Sequence, residues 1–333
     1  MNITREQSTL VKGFAILIMI YGHVFKSANA DQCGMIYFIS INNCPLWKVL
    51  AIGVNPVHIF LILSGYGLCR VFEKGSLTLM SEIKRVMKLY ISYWIIIFLL
   101  IIVGNILHPG LFPVDARHII GNLTGMNNLY CGNNWFLLPY ALLSLLSPYI
   151  VKRIYIRPLL GGALCCILFL LTGYLISHYM GWLGKHPFIY TPILMTHFLF
   201  SFSIGIMLCV FNVFRNPSQW FAWTLVIMAF LIECIARSAA TYPFCSFLIV
   251  IGLALIDWNS RIVKFLVEIG RYSMPMWFIH GLYYDYICPE FVYFSRIPLV
   301  IYVSIIALSY LTAIPLMKLS SLITANIDKL KVY

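Results

Sequence analysis

Ten apolar runs, each near the length that crosses a hydrocarbon core, recur along this chain and leave it few ways to fold. They cover Gly13–Phe25, Val49–Cys69, Tyr90–Ile106, Trp135–Val151, Leu159–Ser177, Pro192–Phe211, Trp220–Ala236, Ala239–Ile256, Tyr272–Ile287 and Pro298–Met317. A bilayer offers no water to backbone N–H and C=O groups, so a spanning run must satisfy them internally as a helix or within a closed barrel. These runs are continuously apolar, whereas a membrane strand alternates over about ten residues. The expected fold is therefore all-α, a polytopic membrane helix bundle of about ten transmembrane helices. Of the 333 residues 61% are hydrophobic and 10% charged, against about a quarter charged in soluble domains. With a mean hydropathy of +0.89, the chain is not a secreted disulfide scaffold, a disordered segment or a cytosolic enzyme.

The net charge of +12, from 23 Lys and Arg against 11 Asp and Glu, would suit nucleic acid in a soluble protein. Here the positions of the charges decide. With the N-terminus in the cytoplasm, 17 of the 23 cations fall in cytoplasmic segments and six (Lys26, Lys48, Arg117, Lys185, Arg237 and Arg296) fall outside. Positive residues stay on the cytoplasmic side of membrane proteins, so the expected topology has both termini there, no nucleic-acid partner, and membrane lipid around the helices. Lys12, the short first run and Ala28-Asn29-Ala30 imitate a cleavable signal peptide. Nine further spans would anchor the chain in any case, and the first is expected to stay as a helix. No internal repeat or linker divides the sequence, and residues 1–333 read as one integral membrane domain.

The ten cysteines include no C-x-x-C, and the eight histidines form no H-E-x-x-H. No metal is therefore expected. Cys33, Cys44 and Cys131 fall in external segments, where they either pair or remain free thiols. The longest external connection, Leu107–Asn134, carries Asp115, Arg117 and His118 together with Leu111, Phe112, Ile119 and Ile120. Its apolar residues point to a loop that folds back onto the membrane.

Chemistry is to be sought where polar groups interrupt apolar sequence, because an ionisable side chain within a span is costly unless it faces protein, water or substrate. Lys12 and His23 are eleven residues apart, which on a helix is about 16 Å and about 20° of rotation. Both project from one face of the first span. Lys12 either snorkels to the cytoplasmic surface or serves a site, and His23 either bonds a neighbouring helix or does chemistry. Ser64, Gly65 and Gly67 lie near the end of the second span, just before Arg70; they admit either a ligand or a crossing helix. Lys84, Arg85 and Lys88 form a cationic patch that topology alone would place there and that also suits phosphate. Asn134 and Trp135 open the fourth span, and His280 sits in the ninth.

These motifs appear in a familiar order. A basic residue separated by ten residues from a histidine, Phe60-Leu61-Ile62-Leu63-Ser64-Gly65-Tyr66, the Arg85, Lys88 and Tyr93 pattern, Trp135-Phe136-Leu137 with Ser147-Pro148, and Ser273-Met274-Pro275-Met276-Trp277-Phe278-Ile279-His280 follow one another along nearly the whole chain. Together they resemble the acyltransferase 3 family of bacterial integral membrane O-acyltransferases, especially its stand-alone members that modify cell-surface polysaccharides. Lys12 stands where that family usually has Arg, and Thr9 where it commonly has an acidic residue. Lys keeps the charge but loses the bidentate fork.

The resemblance implies transfer of an acyl group, acetyl from acetyl-CoA, to a hydroxyl of a cell-surface or lipid-linked glycan, in a multi-pass protein of the bacterial inner membrane. Under it, His23 and Lys12 are the expected catalytic residues. Arg70, Lys84, Arg85 and Lys88 are expected to hold CoA phosphates, and Ser64, Tyr66, Asn134, Trp135 and His280 to meet substrate. An imidazole suits the task, since its ordinary pKa of about 6.5 lets it take a proton from an attacking alcohol. The rival reading is a transporter or flippase for a lipid-linked glycan, although the paired broken helices of many transporters are not apparent.

Overall fold

The computed structural model describes residues 3–41, 43–52, 55–127, 130, 132–211, 218–236, 238–325 and 327. The apolar runs become helices: α1 (Arg5–Lys26), α2 (Ala28–Gln32), α3 (Leu46–Ile52), α4 (Val57–Glu73), α5 (Leu79–Leu107), α6 (Ala116–Thr124), α7 (Leu137–Ile156), α8 (Pro158–Leu183), α9 (Pro187–Phe211), α10 (Gln219–Ala236), α11 (Tyr242–Leu255), α12 (Ser260–Arg271), α13 (Ser273–Gly281), α14 (Pro289–Tyr293) and α15 (Pro298–Thr324). Among the described residues, seven helices are long and apolar enough to cross a membrane, namely α1, α5, α7 with the 3-10 turn before it, α8, α9, α10 and α15. Three shorter apolar segments take the remaining expected positions: α4, α11 with the turn Ala239–Thr241, and α13 with the π-turn Leu282–Ile287. The only strands among the described residues are the antiparallel pair β1 (Ser40–Ile41) and β2 (Cys44–Pro45).

Several helices extend past the apolar runs, as α5 does by starting at Leu79 and not Tyr90, and one expected span is interrupted. The expected second span, Val49–Cys69, is broken: α3 ends at Ile52 and α4 begins at Val57, after Asn55-Pro56. Proline lacks the N–H that an α-helix needs and disfavours helical geometry in the residue before it. Arg215, Arg237, Lys329, Lys331 and Cys131 lie outside the described residues. Cys33 and Cys44 are both free thiols.

The helices gather into two units, each assembled from three stretches of chain: residues 1–12, 55–86 and 136–267 in the first, and 13–54, 87–135 and 268–333 in the second. In the first, α4 packs on α9, α9 on α8 and α7, and α11 on α10 and α4. Its outer surface is apolar, as lipid requires. On α8, Leu160, Leu164, Ile167 and Leu171 are exposed while Cys165, Phe169 and Thr172 on the opposite side are buried.

The α4–α9 contact answers one question left open by the sequence. A Cβ on Gly65 would stand 2.0 Å from Phe202 O, and one on Gly205 would stand 2.0 Å from Ile62 O. Each glycine admits the other helix's backbone, the small-residue packing expected where no hydrophobic effect drives helices together. Gly67 has nothing within 4 Å of the same position. Gly65 therefore serves a helix crossing.

In the second unit, α13 packs on α15, and Tyr302 donates to Leu17 O at 3.0 Å to tie α15 to α1. The long external connection is ordered here by α6. Asp115 caps that helix, accepting from Arg117 N at 3.0 Å and His118 N at 3.1 Å, and also meets the His118 ring. Phe112 is buried, and Tyr93 and Trp94 of α5 donate to Asn122 O and Leu123 O. Ile120 remains exposed, so Phe112 and not the whole apolar set carries the fold-back. The His118 N–H, chiefly, holds the Asp115 carboxyl below its ordinary range. Because the folded value is depressed, the cap contributes at pH above the unfolded value of about 3.9 and is lost as pH falls through the folded one.

Replacing Gly65 or Gly205 with Ala should destabilise the first unit by the upper part of the about 1–3 kcal/mol typical of overpacking, because the obstacle is backbone. G67A should be close to neutral. Thermal unfolding of the purified protein in detergent, read by intrinsic fluorescence, compares the three; equal midpoints for G65A and G67A would refute this account of the crossing.

Candidate active site

In the second unit, α1 and α13 bring two intramembrane histidines together. His23 Nδ1 lies 2.8 Å from His280 Nε2, with the rings stacked at 5.1 Å and 11° between planes. His280 is fully buried, and its Nδ1 lies 3.0 Å from Met276 O, one turn earlier on the same helix. A carbonyl only accepts, so His280 carries its proton on Nδ1, and a neutral ring then has a bare Nε2. The hydrogen bond between the rings must in turn be donated by His23 Nδ1. What remains is His23 Nε2, a lone pair without a proton. Burial favours this neutral arrangement, since a charged ring there would lose its hydration.

The sequence reading placed His280 among substrate groups; its position in the structure makes it the partner that orients His23. Their separation of 257 residues hides the pairing from any local motif. Around them, Trp277 donates to Asn133 O at 3.2 Å, and Asn133 donates to the Tyr284 hydroxyl at 3.1 Å. Asn134 is buried with its Oδ1 unpartnered among the described residues, and Trp135 is half-buried.

The first unit holds Lys12, Arg70, Lys84 and Arg85, while Lys88 falls in the second. Lys12 is half-buried and close enough to Arg85 and Arg5 to be repelled by both charges. Arg85 donates to the Tyr140 hydroxyl at 2.6 Å and to Glu82 at 3.4 Å; Tyr140 in turn meets Ser64 Oγ at 3.1 Å. Glu82 is buried and accepts a second hydrogen bond from Ser144 at 2.6 Å. Lys84 and Lys88, on the same helix as Arg85, are half-buried. Ser64 is thus part of a network that aims a guanidinium. Tyr66 accepts from Ile3 N at 2.8 Å, and Arg70 pairs with Glu73 at 2.6 Å.

Three features escaped the sequence reading. Glu82, Tyr140 and Ser144 support Arg85; Glu82 stands three residues before it, the spacing of a helical ion pair, and that was the available clue. His58 meets Ser201 at 2.7 Å, and His197 meets Thr172 at 3.1 Å, placing two further histidines in the buried interior of the first unit. The donor atoms of Cys69, Glu73 and Cys209 lie within 4.8 Å of one another, but Arg70 already engages that carboxylate.

The family model described as an acyltransferase domain, acyltransferase 3, matches residues 6–318. The chain belongs to the acyltransferase 3 family. It is accordingly a membrane-embedded O-acyltransferase, and both sets of polar residues described above fall within the matched region. No curated protein and no solved structure matches it at a significant level.

Ser144→Ala leaves a buried carboxylate short of one hydrogen bond and should cost about 1.5–3 kcal/mol. Ser147, also on α7 and buried, has no partner for its Oγ among the described residues, so Ser147→Ala should be neutral or slightly stabilising. Chemical-denaturant titration in detergent would distinguish them, and indistinguishable variants would remove Glu82 from this network.

Proposed function

We propose that this acyltransferase is an O-acetyltransferase of the bacterial inner membrane that moves acetyl from acetyl-CoA to a hydroxyl of a cell-surface or lipid-linked glycan, with His23 as general base. The observation that carries the reading is the proton order Met276 C=O, His280, His23, which leaves His23 Nε2 bare and held in one orientation. A base needs that lone pair, in a ring that cannot turn away.

The acceptor hydroxyl gives its proton to His23 Nε2 as its oxygen bonds to the thioester carbonyl carbon. The tetrahedral intermediate then collapses with cleavage of the C–S bond, and the imidazolium returns the proton to the departing CoA sulfur. Throughout, His280 Nε2 accepts from His23 Nδ1 and favours the imidazolium as it forms, as a carboxylate does in a hydrolytic triad.

Lys12 and Arg85 are the groups for the CoA phosphates. Their mutual repulsion is relieved by an anion, and Tyr140 aims the guanidinium fork that suits phosphate. Arg70, Lys84 and Lys88 add positive charge for the same ligand. Lys12 and His23 are eleven residues apart on α1, about 16 Å along its axis. Ser64 and Tyr66 serve through the contacts they make with protein, while Asn134 and Trp135 serve the acceptor.

His23→Ala should lower acetyl transfer by about 10²–10⁴-fold. His280→Leu removes the acceptor that sets the tautomer and should lower kcat by a similar factor while leaving the KM for acetyl-CoA within about 3-fold. His280→Gln keeps an acceptor oxygen and should recover part of the rate. Labelled acetyl transfer in proteoliposomes measures all three, and an active His23→Ala variant would remove His23 as the base.

A further inference from the structure

Past the ends of α1 and α13 the two segments meet a second time, through Ser27 and Asn29 on one side and the π-turn Leu282–Ile287 on the other. Ser27 Oγ donates to Asp285 Oδ1 at 2.7 Å, and Asn29 Nδ2 donates to Tyr284 O at 2.9 Å. Both cross-links advance along both helices, from His23 to Ser27 and from His280 to Asp285, so the two helices run locally parallel.

The steps are unequal, four residues on α1 and five on the other strand of the ladder. In an unbroken α-helix, position i+4 lies about 40° from i and position i+5 about 140° away. The π-turn Leu282–Ile287 begins directly after α13 and supplies the extra residue, a device found frequently at functional sites. It turns Asp285 to the side of α1 and leaves Tyr284 buried, its hydroxyl accepting from Asn133. Asp285 itself is exposed.

The bond from Ser27 uses one carboxylate oxygen, and a neutral amide oxygen in its place would also accept it, though more weakly. It does not account for the negative charge. Asp285 Oδ2 has no hydrogen bond among the described residues, and Ser27 stands four residues, about one helical turn, beyond His23, directly after the end of α1. We propose that Asp285, set by Ser27 and the π-turn, is the residue that binds the acceptor sugar, its carboxylate receiving hydrogen bonds from a vicinal pair of hydroxyls. The acceptor class is thereby a polyhydroxylated sugar ring bearing a free diol beside the hydroxyl that is acylated. The inference rests on the acyl-transfer reading for the chemistry at His23, but the binding it assigns does not require the donor.

The test separates binding from transfer. Saturation-transfer NMR with methyl hexopyranosides and their monodeoxy analogues, on the full chain in nanodiscs without acetyl-CoA, measures sugar affinity for the wild type, Asp285→Asn and Ser27→Ala. Asp285→Asn retains an oxygen for Ser27, so a purely interhelical role predicts no change. The expected result is a loss of about 10–100-fold in affinity for Asp285→Asn, the scale of hydrogen bonds to a charged group. Ser27→Ala should lose less than about 5-fold, as for one neutral hydrogen bond, and removal of one diol hydroxyl should weaken the wild type but not Asp285→Asn. Unchanged affinity in Asp285→Asn, equal losses in both variants, or no sugar binding by the wild type would each overturn the proposal. Asp285-dependent binding with no acetyl moved from acetyl-CoA would uphold the sugar site and overturn the donor reading.

Discussion

Hydrocarbon offers no hydrogen bonds, and that deficit organises the polar side chains of this protein. Glu82 is held by Arg85 and Ser144, His58 by Ser201, His197 by Thr172, and His280 by Met276 O and His23. In water each of these groups would find solvent and tolerate many orientations. Inside the spans each is confined to the few protein partners within reach, and orientation becomes part of stability. Asn134 Oδ1 is an exception, buried with no hydrogen bond among the described residues.

The histidine pair illustrates how a low-dielectric interior orients a base without a permanent charge. A carboxylate behind His23 would do the same work as in a soluble triad, at the cost of burying an anion. A second imidazole, fixed by a backbone carbonyl whose other lone pair remains available to the helix, carries the polarity of that carbonyl to His23 with no net charge. Asp285, one of the second unit's carboxylates, stands instead five residues beyond His280 at an exposed position.

Much of this was legible in the residues. The eleven-residue spacing of Lys12 and His23 holds because α1 runs without interruption from Arg5 to Lys26. The small residues around Gly65 announced a close approach, though not its object, since a glycine that admits a helix and one that admits a ligand look alike until Phe202 O is in place. Arg85 was visible as a charge; its aim was not, because Tyr140 reaches it, and Ser144 reaches its partner Glu82, from α7, more than fifty residues on. The break before Val57 was underestimated because an apolar run reads as continuous across a proline when hydropathy alone is followed.

The sequence by itself determined that this chain is a set of membrane helices, because backbone groups in lipid have no other way to be satisfied and continuous apolar runs of that length serve no soluble fold. It also determined which ionisable residues the helices would carry. Only the tertiary structure decided which nitrogen of His23 is bare, since that depends on a proton held by Met276 O through His280. The same holds for the face shown by Asp285, which follows from one extra residue in a π-turn. Tautomer and azimuth are properties of contacts, and the contacts join residues too far apart in the chain for any local pattern to record.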